Sequence, residues 1–107
     1  MGWLLVMFDL PVTTKKERQL ATKFRNDLLE HGYLMLQFSV YGRCAVTYDR
    51  KDRLLRDLEK LNPGTGHIRC VFITEAQWAE TVIIQGPSKR SPRGFGENDP
   101  SEQLQFW

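Results

Sequence analysis

The sequence predicts an α+β domain, a βαββαβ sandwich with two helices on one face of an antiparallel sheet. Three observations carry this. Trp3 to Phe8 is an unbroken apolar run, the stretch from Thr14 to His31 is a capped amphipathic helix, and β-rich segments then alternate with a second leucine-faced helix. At 107 residues the chain is one domain's worth, with a modest core.

In Trp3-Leu4-Leu5-Val6-Met7-Phe8 the hydrophobicity is continuous rather than alternating. Such a strand is covered on both faces, or on one face by the chain and on the other by a partner. Pro11 ends it, having no N–H for a ladder. Thr14-Lys15-Lys16-Glu17 matches a capping box, and Leu20, Phe24 and Leu28, with Ala21 beside them, form one stripe. Gly32 is the expected left-handed stop. Tyr33 to Tyr41 reads as strand and continues through Gly42-Arg43 into Cys44-Ala45-Val46-Thr47-Tyr48, with the bend expected at Gly42. Asp49 is the expected N-cap of the second helix, Leu54, Leu55, Leu58 and Leu61 its buried face, and Asn62-Pro63-Gly64 its end. His67 to Thr74 alternates around Ile68, Cys70 and Phe72 as a strand, Glu75 to Glu80 makes a turn of helix, and Thr81 to Ile84 is expected as a short final core strand. The order is the split βαβ, or ferredoxin-like, pattern.

The domain is expected over residues 1–85. Residues 86–107 change character: Pro87, Pro92 and Pro100 are interspersed with glycines, Lys89, Arg90 and Arg93, as in a flexible basic linker. Leu104-Gln105-Phe106-Trp107 restores hydrophobicity, and Leu104, Phe106 and Trp107 are expected to dock as an edge strand on another subunit. A frayed tail is the plain alternative.

Composition excludes little. The apolar fraction is 41% and the charged fraction 26%, as in ordinary soluble proteins. A net charge of +2 permits nucleic-acid binding without requiring it. Cys44 and Cys70 lie in apolar runs with no zinc spacing and are expected as reduced core residues in a cytoplasmic protein. The first apolar run is too short to span a membrane and lacks the pattern of a signal peptide.

Asp9 follows the apolar run directly. Read alone, it is a hydrogen-bonded structural carboxylate or a functional group at the sheet's end. One carboxylate holds Mg²⁺ weakly, because that ion takes octahedral oxygen ligands, and a two-fold axis pairing two copies of Asp9 would make a shared site. Lys15, Lys16, Arg18, Lys23 and Arg25 fall on the first helix, and Arg50, Lys51, Arg53 and Arg56 on the second. These are either a phosphate-tracking face or a solvated mixed-charge one, since carboxylates are interspersed. Ser39, Tyr41 and Arg43 are candidates to line a site near Asp9, with ordinary strand pairing as the alternative. His31 and His67 are not expected to be ligands. No P-loop, GxGxxG or nucleophile-elbow pattern occurs.

Met7-Phe8-Asp9-Leu10-Pro11, then Phe24, Leu28-Leu29 and Gly32-Tyr33, then Leu36-Gln37-Phe38-Ser39-Val40-Tyr41, closely resemble the second CRISPR-associated protein family, the small partner of the CRISPR integrase. The resemblance spans about residues 3 to 85. It implies a ferredoxin-like homodimer joined through its sheets, bridging two integrase dimers along captured duplex DNA during spacer acquisition. It also implies a Mg²⁺-dependent endonuclease acting on RNA or DNA, with single-stranded RNA as a further candidate ligand. Asp9, paired across the two-fold, would be the catalytic and metal-binding residue. Arg18, Arg25, Phe38 and Ser39 sit where that family carries functional or site-shaping residues. The extension after residue 85 is not part of its common core. A ferredoxin-like toxin-type ribonuclease or small-ligand module outside CRISPR is the alternative, since one fold hosts many functions.

Overall fold

The computed structural model describes residues 1–86. Their order is β1 (Gly2–Asp9), α1 (Lys15–Glu30), β2 (Leu34–Gln37), β3 (Val40–Val46), α2 (Tyr48–Glu59), β4 (His67–Thr74) and α3 (Glu75–Ala79). The strands form one antiparallel sheet in the order β2-β3-β1-β4, the ferredoxin-like arrangement. β1 therefore lies inside the sheet, paired on both edges with β3 and β4.

Alternation along β1 separates the two faces. Leu4, Val6 and Phe8 point into a core shared with Phe24 and Leu28 of α1 and Leu54 and Leu58 of α2. Phe8 packs edge-on against Phe24 at 5.1 Å between ring centres and tilts against Tyr41 at 5.6 Å. Both helices thus cover one face. α1 begins as its capping box dictates: Thr14 Oγ1 accepts from the Glu17 amide, and the Glu17 side chain accepts from the Thr14 amide. After its C-cap, His31, the chain turns through Gly32, whose φ of 88° favours glycine.

Four expectations are corrected. The β2–β3 bend lies at Phe38–Ser39 rather than Gly42, and Ser39 itself takes the left-handed conformation, φ 74°. Gly42 is instead inside β3, where a Cβ would run into Leu36, Trp3 and Leu5 on the helix-free face. α2 starts one residue after Thr47, its N-cap, and Asp49 lies in the first turn, where its charge complements the helix dipole. Thr81 to Ile84 forms no strand: Val82 and Ile84 are 74% and 78% exposed, because a strand needs a ladder and this segment meets none among the described residues. Both cysteines are exposed rather than core. Cys44 adjoins a break in the β1–β3 register at Ala45, φ 58°, and Cys70 lies on a strand with a single neighbour among the described residues.

The opposite face of the sheet is free of α1 and α2. At one end α3 folds over it, and Trp78 stacks on Trp3 with 4.5 Å between ring centres. Ile73, opposite Trp3, is half-buried there; toward the other end Leu5 is half-buried, and Met7, Leu34 and Val71 are 37%, 45% and 40% exposed.

Candidate functional site

Asp9 is the last residue of β1 and shares the open face with Leu5 and Met7, by the strand's two-residue period. Its cross-strand partner is His67, the first residue of β4. The His67 amide donates to Asp9 Oδ1 at 3.2 Å, and His67 Nδ1 lies 3.1 Å from the same oxygen. Both side chains are open to water, Asp9 at 82% and His67 at 85% exposed. The strand-end carboxylate therefore avoids the desolvation cost a buried one would carry. The approach of β4 to Asp9 depends on Gly66: its φ is 72°, and a side chain there would strike the Asp9 carbonyl oxygen.

The β2–β3 turn closes the other side. The Phe8 amide donates to the Ser39 carbonyl at 3.0 Å, tying the turn to the end of β1. Met7, Phe8, Asp9, Ser39, Val40, His67 and Arg69 line a shallow depression of about 250 Å³. Of the residues singled out from sequence, Asp9 and Ser39 are brought together here. His67 was not expected as a contributor, and Arg69 was not considered. Both become visible only once β1 and β4 are paired, because period-two alternation then puts residues 67 and 69 on the face of residue 9.

The remaining candidates lie elsewhere. Arg25 stacks its guanidinium over Phe38 at 4.8 Å, with Nε buried and unpartnered. Phe38 is 58% exposed at the turn. Tyr41 is a core residue, and its buried hydroxyl is pushed to a higher pKa by desolvation. Arg43 is drawn away from Asp9, donating to the His31 carbonyl at 2.8 Å and so capping the C-terminus of α1. Arg18 donates to the Val12 and Thr13 carbonyls at 3.2 and 3.0 Å, which fastens the β1–α1 loop. Lys15, Arg18 and Lys23 line one shallow strip of α1, Lys23 being paired with Asp27 at 2.8 Å. Lys16, Arg50 and Arg53 are exposed on the helices. The tail residues Leu104, Phe106 and Trp107 lie outside the described residues.

As a metal centre, Asp9 supplies half a site. Oδ2 makes no hydrogen bond to the described residues, so it is available to a hard cation, and Mg²⁺ commonly uses one or two carboxylates plus water. Among the described residues no group of three or more His, Cys, Asp or Glu side chains converges. A second carboxylate has to come from outside the described residues. No helix among these residues is long and apolar enough to cross a membrane.

The fold and this strand-end carboxylate define a ferredoxin-like α+β protein with an open sheet face. The family described as CRISPR associated protein Cas2 matches residues 1–81, and the chain belongs to that family. Relatives named CRISPR-associated endoribonuclease Cas2 include one from Paracidovorax avenae, 40% identical over 97 residues, covering 87% of this chain and 90% of the relative. One from Parvibaculum lavamentivorans is 36% identical over 90 residues, covering 84% and 88%. One from Campylobacter jejuni is 41% identical over 83 residues, covering 78% of this chain and 58% of that longer protein.

Proposed function

We propose that this chain is a homodimeric CRISPR adaptation subunit with Mg²⁺-dependent endonuclease activity centred on Asp9. The observation that carries the reading is the position of Asp9 on the same open, partly apolar sheet face as Leu5, Met7 and Val71. A second copy covering that face brings its own Asp9 to the same interface. The exposed Val82 and Ile84 and the outer edge of β4, unpaired among the described residues, add further surface for that partner. Two carboxylates and water suit Mg²⁺, which polarises a phosphodiester and lowers the pKa of a bound water. The relatives' name, endoribonuclease, supports phosphodiester hydrolysis, with RNA as the first substrate to test and DNA as the second.

The second role is that of an adaptor, binding duplex DNA and bridging integrase dimers in spacer acquisition. It is favoured by the exposed Lys15, Lys16, Arg50 and Arg53 on the helices, on the side of the sheet opposite Asp9. A dimer joined through the open faces turns these basic surfaces outward and doubles them. Membership in the CRISPR-associated family favours both roles over a toxin-type or small-ligand module.

The test compares the wild type with Asp9→Asn, using single-stranded RNA and duplex DNA with Mg²⁺ or EDTA. Cleavage is expected only for the wild type with metal, with unchanged circular dichroism and a light-scattering mass of two protomers for both proteins. Cleavage by Asp9→Asn at the wild-type rate refutes the catalytic assignment. A single-protomer mass refutes the shared site. Charge reversal of Arg50 and Arg53 is expected to lower duplex affinity and flatten its salt dependence, and an unchanged salt slope removes the helical basic face as the DNA contact.

A further inference from the structure

We propose that Arg69 is the phosphate-holding residue of the Asp9 site, gripping the phosphodiester of a bound nucleic acid beside the carboxylate. The proposal rests on the reading of Asp9 given above.

The β1–β4 register fixes its place. Asp9 faces His67 and Met7 faces Arg69, so Arg69 stands on the open face diagonal to Asp9. Diagonal neighbours across antiparallel strands lie about 7–8 Å apart, within the span of an arginine side chain. Arg69 lines the same depression as Asp9, Ser39 and His67. The Asp9 carboxylate is engaged by His67 and not by Arg69, whose guanidinium has no hydrogen bond or ion pair among the described residues. Among the described residues a full positive charge thus stands uncommitted beside the carboxylate proposed to hold the metal.

Its surroundings give the charge a purpose. Met7, Val40 and Val71 make the neighbouring face largely apolar. Covering that face with a partner strips water from the guanidinium, which is costly unless an anion comes with it. A phosphodiester meets the need: the planar fork of arginine matches two phosphate oxygens. A cation on Asp9 and the guanidinium two strand positions away would then flank one phosphate, with charge stabilisation already in place as the phosphorus becomes more negative. A carboxylate of the partner copy is the competing anion, and the experiment separates the two.

Binding of a fluorescent single-stranded RNA is measured by anisotropy in EDTA across a salt series, so that no cleavage occurs, and dimer mass is measured by light scattering. Arg69→Gln is expected to weaken binding by about tenfold and to reduce the salt slope by about one, with the dimer mass unchanged. Arg69→Lys, which retains the point charge but not the planar fork, is expected to restore the salt slope and only part of the affinity. Unchanged affinity and slope in Arg69→Gln overturn the proposal. So does loss of the dimer in Arg69→Gln, which identifies the guanidinium as an interface ion pair. Weakened binding by Arg69→Gln alongside full cleavage by Asp9→Asn refutes the catalytic reading of Asp9 and leaves Arg69 as a phosphate contact.

Discussion

The two faces of the sheet are built from the same strands and do opposite work. On the helix side, Leu4, Val6, Phe8 and Tyr41 are all under a tenth exposed and close on both helices. On the other side, Leu5, Met7 and Val71 of those same or neighbouring strands remain half-open, and Asp9, His67 and Arg69 stand among them in water. One residue of offset along β1 thus separates what holds the protomer together from what it presents. Stability is predicted to respond to the first set and assembly and activity to the second.

The largest effect is expected at the centre of the covered face. Phe24→Ala removes a ring packed edge-on against Phe8 and should cost about 3–5 kcal/mol in denaturant unfolding. A loss below 1 kcal/mol would mean that α1 is not what closes this core. Next is Tyr33, 2% exposed, whose pKa is pushed up to about 12 by desolvation. Its folded-state value lies above the unfolded one, so its contribution is complete below about pH 10 and is lost as the pH rises to about 12, on the order of 2–3 kcal/mol. Alkaline unfolding followed by circular dichroism should show this decline, and Tyr33→Phe should remove it. Because the Tyr33 hydroxyl is buried without a partner among the described residues, that substitution should also be neutral or stabilising at pH 7. Thr14→Ala breaks one half of the capping box and should cost about 1 kcal/mol. On the open face, Val71→Asp should change the stability of the dilute protomer by about 0.5 kcal/mol or less while lowering the light-scattering mass at micromolar concentration. A large loss of protomer stability there would erase the distinction between the faces.

Much of the fold was legible because hydrophobic period and capping chemistry are local. Thr14 with Glu17, the Phe24–Leu28 stripe and Gly32 mark α1 to within a residue, and the continuous run of Trp3 to Phe8 marks a strand. What failed to show depends on neighbours. Ser39 adopts a left-handed turn without being glycine, so no local signal moved the bend from Gly42. Thr81 to Ile84 carries every strand preference and lacks a partner strand among the described residues. Cys70 lies at a core-facing position, but its place on an edge strand leaves it uncovered. The site follows the same rule. Asp9 stood out from sequence because a carboxylate ending an apolar run is conspicuous, whereas His67 and Arg69, some sixty residues away, join it only through the β1–β4 register.

The stack of Trp78 on Trp3 has an optical consequence. Two indoles held 4.5 Å apart couple their electronic transitions, and the coupling depends on α3 staying seated on the end of the sheet. Of the three tryptophans in the chain, two therefore form a built-in chromophore pair on the open face. Its exciton signal in circular dichroism reports, without any label, whether that short helix holds its seat or lifts when something else takes its place.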